Sequence, residues 1–331
     1  MIIHAEVFRY VLPLATPLVL GGAPVEHREG VLLRLEGASG AAGWGDAAPL
    51  PGFSEETAAE AATALRHIGA ALTGQVFSDA TSPEGDLARW LSTRPMPPSV
   101  RCAVEGAVWD LAAAERGVPL PALLTPRPHA TVPLNGLLVG EGEAVVASAQ
   151  RMRARGYRAV KLKVGRGAVE ADVARVRAVA AALGPSVALR LDANRAWSWR
   201  DAVAFAEGIA GVRVAYIEEP LADPAALPAF AGETGLPVAL DESLVGMAPD
   251  RLGDPGYASA VVLKPTFLGG PVEALRWARR AAALGMEAVV SSAFESGIGL
   301  RLLAALAASL GTHRSVGTSG RSTSRGRSTK A

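Results

Sequence analysis

The chain has one cysteine, Cys102, five histidines and only 5% aromatic residues. A single thiol excludes an internal disulfide and any cysteine-built zinc cluster. A histidine that could act as a base late in the chain is also missing: beyond His129 the only one is His313, inside an unusual tail. No run of about 18 uninterrupted apolar residues occurs, so no membrane span is expected. The opening Met1-Ile-Ile-His-Ala-Glu6 lacks the basic flank and apolar stretch of a secretion signal, and the expected location is the cytoplasm. Acid is absent from residues 311–331, which carry Arg314, Arg321, Arg325, Arg327 and Lys330. Removing those five from the 33 Lys and Arg leaves 28 against 32 acids, so the net charge of +1 is no sign of nucleic-acid binding.

A length of 331 residues, half of them hydrophobic, suits two domains or one α/β barrel with an addition. Residues 1 to about 45 read as an antiparallel meander, with strands over His4–Leu12, Glu29–Leu35 and Ala41–Asp46 separated by Gly- and Pro-containing turns. Glu55–Leu72 and Ser99–Arg116 have helical spacing, with Ser99 as the expected N-cap of the second and Gly117 its stop. Residues 1–125 are therefore expected to form an α+β domain, with Pro126, Pro128 and Pro133 marking a linker.

From residue 126 to 311 the rhythm becomes strand, helix, strand. Strands are predicted at 131–138, 159–165, 188–194, 214–220, 237–243, 259–265 and 287–294, with helices at 168–183, 199–210, 271–284 and 298–310. Seven such units point to a modified (β/α) barrel, an α/β fold, and the sequence shows no eighth strand. Residues 312–331 are basic, of low complexity and nearly free of apolar side chains. They read as a disordered tail or the product of a shifted reading frame. Gly21-Gly22 reads as a flexible loop near the substrate entrance, and no Lys-Ser/Thr follows it to make a phosphate cradle.

Five of the predicted strands end in charge: Ala159-Val-Lys-Leu-Lys163, Leu189-Arg-Leu-Asp192, Tyr216-Ile-Glu-Glu219, Val238-Ala-Leu-Asp-Glu242 and Val261-Val-Leu-Lys264. Strands covered on both faces are usually all apolar, and unpaired buried charge is costly. Side chains alternate along a strand. Lys161 and Lys163 therefore share the face opposite Val160, Leu162 and Val164, and Arg190, Asp192 and Asn194 share the face opposite Leu189 and Leu191. Glu218, Asp241 and Lys264 take the same inward direction at the carboxyl ends of their strands, where barrel active sites form. Ion pairs at a solvent-facing rim are the alternative for any one residue; five on one face of consecutive strands favour a single site. Asp192, Glu218 and Asp241 are oxygen donors without His or Cys, suited to Mg²⁺, with Mn²⁺ the alternative. Lys163 precedes that trio and Lys264 follows it, which puts the two lysines on opposite sides of a small carboxylate substrate. Burial or a neighbouring cation lets such a lysine serve as a base.

These motifs resemble the enolase superfamily, in its muconate-lactonising branch. The resemblance rests on Lys161-Leu-Lys163, Asp192-Ala-Asn194, Glu218-Glu-Pro220, Asp241-Glu-Ser243 and Lys264-Pro265 in order. Gly43-Trp-Gly-Asp-Ala-Ala-Pro-Leu-Pro-Gly-Phe-Ser54 is similar to that family's capping loop, and Val104–Leu111 to its packing helix. The resemblance implies Lys163 as general base and acid, Asp192, Glu218 and Asp241 as Mg²⁺ ligands, Lys264 on the opposite face of the substrate, and Glu219 and Glu242 as supporting partners. Lys264-Pro-Thr-Phe-Leu-Gly-Gly270 and Ser291–Leu300 further resemble the o-succinylbenzoate synthase family, a dehydratase of menaquinone synthesis. Lys161, Asn194, Gly269, Gly270, Ser291 and Ser292 are then the candidate substrate contacts, with tight-turn chemistry the alternative for the glycine and serine pairs. N-succinylamino-acid racemisation needs the same metal and the same two lysines, and a catalytically silent homologue is the remaining alternative.

Overall fold

The computed structural model describes residues 1–20, 23–253, 255–310 and 316–317, with no side-chain account at 15–20, 23 and 316–317. The predicted Gly21-Gly22 loop lies outside the described residues, as does all of the tail except Val316 and Gly317.

The meander is longer than the sequence predicts. Strands β1 (Ile2–Leu20), β2 (Ala23–Gly37) and β3 (Ala42–Ala47) pair antiparallel in that order. Helices α1 (Ala58–Leu72), α2 (Asp86–Ser92), α3 (Pro98–Glu115) and α4 (Leu120–Leu124) follow. The first begins at a capping box, in which Thr57 and Glu60 satisfy each other's exposed amides. Ser99 is not the N-cap of α3, which begins at Pro98; it lies buried in the first turn, with its amide and hydroxyl both bonded to the Glu56 carboxylate. Proline at the first helical position loses no hydrogen bond there, which is why the helix starts one residue early. Gly45 lets β3 lie directly on α3, because a Cβ there would fall 1.8 Å from the Ala103 carbonyl oxygen. Val31, Leu33, Leu35, Leu65, Leu72 and Trp109 fill the core between this sheet and its helices.

The second sheet is built from β4 (Leu134–Leu138), β5 (Ala159–Lys163), β6 (Ala188–Asp192), β7 (Tyr216–Glu218), β8 (Val238–Leu240), β9 (Ala258–Leu263), β10 (Glu287–Val290) and β11 (Val316–Gly317). Its spatial order is β10-β9-β8-β7-β6-β5-β4-β11, all pairs parallel. Helices α5 (Gly142–Ala154), α6 (Val169–Leu183), α7 (Trp199–Gly208), α8 (Leu227–Thr234), α9 (Pro265–Leu268), α10 (Pro271–Ala283) and α11 (Gly297–Ser309) occupy the connections. An eighth strand exists where the sequence shows none: Val316 and Gly317 pair with Leu134 and Asn135. Two residues need no hydrophobic run, so the polar tail conceals them. Among the described residues no helix is long and apolar enough to cross a membrane.

The alternation along the strands sorts the side chains as their spacing dictates. Val160, Leu162, Val164, Leu189, Leu191, Val261 and Leu263 join the large core under the helices. Tyr216, Ala239, Ala260, Val262 and Val289 fill the interior of the curled sheet. Above that plug, at the carboxyl ends, stand the charged residues.

One buried acid joins the two halves. Glu105, on α3, is fully buried and accepts hydrogen bonds from Arg101 Nε (3.0 Å) and from the Val272 amide (2.9 Å) in the first turn of α10. Burial raises its pKa from 4.5 to about 7, against the opposing pull of Arg101. The folded state therefore holds a proton that the unfolded state loses, and stability falls as pH rises through the window from 4.5 to 7. The expected cost is about 3 kcal/mol at the upper end. Glu105→Gln keeps an acceptor for Val272 and removes the titration. Urea denaturation of both proteins from pH 5 to 8 should therefore show wild type losing stability relative to the variant as pH rises. Parallel curves would contradict this account.

Candidate active site

The charged strand ends converge on one buried network. Lys161 Nζ donates to Asp192 Oδ2 (2.7 Å) and Glu218 Oε2 (2.9 Å), and so bridges β6 and β7. Lys163 Nζ donates to the same Asp192 oxygen (2.7 Å) and to Asn194 Oδ1. Asn194 Nδ2 continues to Glu242 Oε1 (2.9 Å). On the far side Lys264 Nζ is bonded to Asp241 Oδ2. β5 and β9 are separated by three strands in a curled sheet, so Lys163 and Lys264 approach the carboxylates from opposite sides.

The loops that follow the strands carry much of the backbone strain. Asn194 (φ 45°), Arg195 (φ 58°) and Glu219 (φ 37°) are all left-handed non-glycine residues just past β6 and β7. The turns let successive residues serve different layers: Asp192 and Glu218 stay inward, while Glu219 turns behind them. There Glu219 accepts from Arg195 Nε (3.0 Å), Ser243 Oγ (2.9 Å) and the amides of Asp241 (3.0 Å) and Ser243 (2.8 Å). It holds the Asp241 backbone and so aims that carboxylate. Glu242 Oε2, in contrast, is buried with no hydrogen-bond partner among the described residues.

Charge is unevenly shared. Asp192 and Glu218 are 1% and 2% exposed, so each is costly to ionise without compensation. For Asp192 burial is outweighed by Lys161, Lys163 and Lys264, which hold it below the usual carboxylate range. For Glu218 burial dominates, and the charges of Asp192 and Asp241 add to it against Lys161, raising it to about 7. Lys161 serves both acids, but Asp192 takes Lys163 as well, so Glu218 is the one left short of positive charge. Burial also opposes the ammonium of Lys161, yet Asp192, Glu218 and Asp241 overcome it and raise its pKa. Lys264 is likewise raised despite burial, mainly by Asp241. Lys163 moves the other way: burial, helped by Lys161 and Lys264, outweighs Asp192 and lowers it.

Three mutually repelling carboxylates, one of them short of positive charge, suit a divalent cation by donor chemistry. Among the described residues no three acidic, histidine or cysteine side chains form a ready-made metal cage, because the lysine ammoniums draw the carboxylates to themselves.

The remaining candidates divide. Ser291 continues the inward line of Glu287 and Val289 and is buried at the mouth of the sheet. Ser292 points away, and its hydroxyl donates to Glu295 Oε2 (2.7 Å). The Gly269 and Gly270 amides both turn back to the Pro265 carbonyl, and Gly270 (φ 112°) lies against Glu105, where a Cβ would meet Oε2 at 2.3 Å. Sequence reasoning missed a second buried polar cluster beside the site. Tyr10 OH donates to Asp46 Oδ1 (2.9 Å), the Ser296 amide to Asp46 Oδ2 (2.8 Å), Thr266 Oγ1 to Glu295 Oε1 (2.8 Å), and Arg28 lies among them. Phe53, from the segment after β3, stacks on Phe267 at 6.1 Å between centroids and 8° between planes, and Lys264 Nζ lies 5.8 Å from the Phe267 ring.

Comparison with known proteins agrees with this arrangement. The Enolase C-terminal domain-like family matches residues 144–323, and the MenC N-terminal domain family matches residues 2–84. The o-succinylbenzoate synthase of Klebsiella pneumoniae (strain 342) is 34% identical over 315 residues, covering 92% of this chain and 86% of its own length. Among solved structures, a substrate-liganded L-Ala-D/L-Glu epimerase from Bacillus subtilis aligns with a TM-score of 0.83 and 28% identity, over 93% of this chain and 87% of that one. The muconate lactonizing enzyme of Pseudomonas fluorescens complexed with muconolactone aligns with a TM-score of 0.81 and 30% identity, over 92% and 84%. The chain belongs to the enolase superfamily, as its lysine-flanked carboxylates at the strand ends lead one to expect. Within that superfamily it is an enzyme of the lyase type, like o-succinylbenzoate synthase.

Proposed function

We propose that this enzyme removes water from a cyclohexadiene carboxylate bearing a hydroxyl and a succinyl group, forming the aromatic o-succinylbenzoate in menaquinone synthesis. The observation that carries the reading is the asymmetry of the two opposed lysines. Lys163, held on Asp192 and Asn194, is the lysine whose pKa is lowered, which suits it to take the proton next to the substrate carboxylate. The electron pair of that C–H bond is held first as negative charge spread onto the substrate carboxylate, and it becomes a ring double bond when the C–O bond then breaks. Lys163, now an ammonium, returns its proton to the departing hydroxyl, and the product is water. Lys264, whose pKa is raised, stays charged on the other side and stabilises the negative charge that develops.

The residues that would hold Mg²⁺, or Mn²⁺, are Asp192, Glu218 and Asp241. Bound there, the ion would supply positive charge for the substrate carboxylate as its neighbouring carbon loses a proton. Lys161 holds Asp192 and Glu218 in register and keeps Asp192 ionised, Asn194 orients Lys163, and Ser291, just past β10, would meet the succinyl group. Residues 1–125 act as the cap and 126–311 as the catalytic domain. The substrate is a small carboxylate, and the single buried, free Cys102 supports a cytoplasmic location.

Racemisation of N-succinylamino acids is the second reading, favoured by the same opposed pair, since it needs one base on each face. The match to the MenC N-terminal domain family and the likeness to o-succinylbenzoate synthases favour the lyase. The deciding experiment measures turnover of the hydroxy-succinyl-cyclohexadiene carboxylate with and without Mg²⁺, and of N-succinylamino acids alongside. Metal-dependent aromatisation is expected. Racemisation alone by a folded protein would overturn the reading.

A further inference from the structure

The segment that carries Phe53 is fastened to the barrel through a side chain with no catalytic chemistry of its own. Arg28, on β2, is 3% exposed. Nη1 donates to the carbonyls of Pro49 (2.9 Å) and Glu29 (3.4 Å), Nη2 to those of Ala48 (3.0 Å) and Ala293 (3.5 Å), and Nε to that of Phe294 (3.2 Å). All five acceptors are main-chain oxygens. Tyr10, Glu295 and Asp46 favour its charge without hydrogen-bonding to it. A buried guanidinium without a bonded carboxylate is costly, and an apolar side chain would fill the space at less expense.

What the guanidinium does that an apolar side chain cannot is join two loops. Ala48 and Pro49 open the segment leading to Phe53, which stacks on Phe267 beside Lys264. Ala293 and Phe294 belong to the loop after β10 that begins with Ser291, and Phe294 is held at φ 64°. A planar fork with five donors reaches both loops at once.

We propose that Arg28 is a positioning residue for the active site: it holds the 48–54 segment and the 291–296 loop together, closed over the Lys264 side of the substrate. Its contribution falls on substrate binding. The chemistry belongs to the lysines, which it does not touch.

The test uses the full chain and three variants, Arg28→Met, Arg28→Lys and, as a control on the same strand, Arg34→Met. The proposed function enters only through the turnover assay. For Arg28→Met the KM is expected to rise about 10- to 100-fold, with kcat within about threefold, because a displaced binding loop costs that much. Guanidinium chloride at millimolar levels, matched for ionic strength with sodium chloride, should lower the raised KM, since Met ends short of the Arg28 terminal nitrogens and the free ion can reach the same carbonyls. Chymotrypsin should cut after Phe53 faster in Arg28→Met than in wild type, and Arg34→Met should match wild type in both assays. Arg28→Lys, with one ammonium and less reach, should lie between and serves if Arg28→Met does not fold. An unchanged KM in a folded variant, or a raised KM with Phe53 protected as in wild type and no rescue, overturns the proposal. If wild type fails to aromatise the substrate, the proposed function falls, and the chymotrypsin comparison still decides whether Arg28 holds the segment.

Discussion

Lys163→Ala is expected to abolish dehydration, with turnover falling by a factor on the order of 10⁴, because the proposed mechanism uses this one side chain as both base and acid. Lys264→Ala is expected to lose on the order of 10³ through missing charge stabilisation. The two losses differ in kind. With Lys264 gone, Lys163 can still take the proton, so substrate in D₂O should exchange its α-hydrogen slowly without completing elimination. With Lys163 gone, no exchange is expected. Circular dichroism and thermal melts must show both variants folded, since each change leaves a buried carboxylate with fewer partners. Near-normal turnover by either variant would overturn the mechanism, and exchange by Lys163→Ala would reassign the base.

Chelation of divalent ions should reduce turnover by a factor on the order of 10³, and added Mg²⁺ should restore it. A second readout does not depend on activity. Glu218 is short of positive charge in a buried site shared with Asp192 and Asp241, so an ion bound there removes repulsion that folding otherwise has to carry. At a free concentration 100 times its dissociation constant, Mg²⁺ should stabilise the fold by about 3 kcal/mol, a rise of several degrees in melting temperature. Glu218→Gln and Asp241→Asn should blunt that rise as they lower activity. A melting temperature that ignores Mg²⁺, together with full turnover in chelator, would remove the metal from the account.

How much of this was legible depended on how local each signal was. The period of two in Ala159–Lys163, Ala188–Asp192 and Ala258–Leu263 is complete within five or six residues, and it assigned the inward charges and the apolar backs of these strands. The left-handed turns at Arg195 and Glu219 gave no signal, because neither residue type favours that conformation. The two residues of β11 sit in a polar segment where periodicity has nothing to act on. Arg28 was hidden differently. It lies just ahead of the predicted strand Glu29–Leu35, among the polar residues Glu26, His27 and Glu29, and the oxygens that bury it lie up to 266 residues away. The Glu219 network lay between these cases: its acid was visible at a strand end, but its four donors come from the turns after two other strands.

The oxygens that receive Arg28 have a consequence for how such a fold can change over generations. Every residue has a carbonyl, so an anchor that binds only carbonyls does not read side-chain identity. Positions 48, 49 and 293 keep this attachment whatever side chain they carry, although burial limits the size of the side chain at each, and Phe294 is held to a left-handed backbone. The fastening of the two loops is therefore independent of the side chains they carry at these positions. Selection can rewrite what they recognise while the fastening beneath them stays as it is.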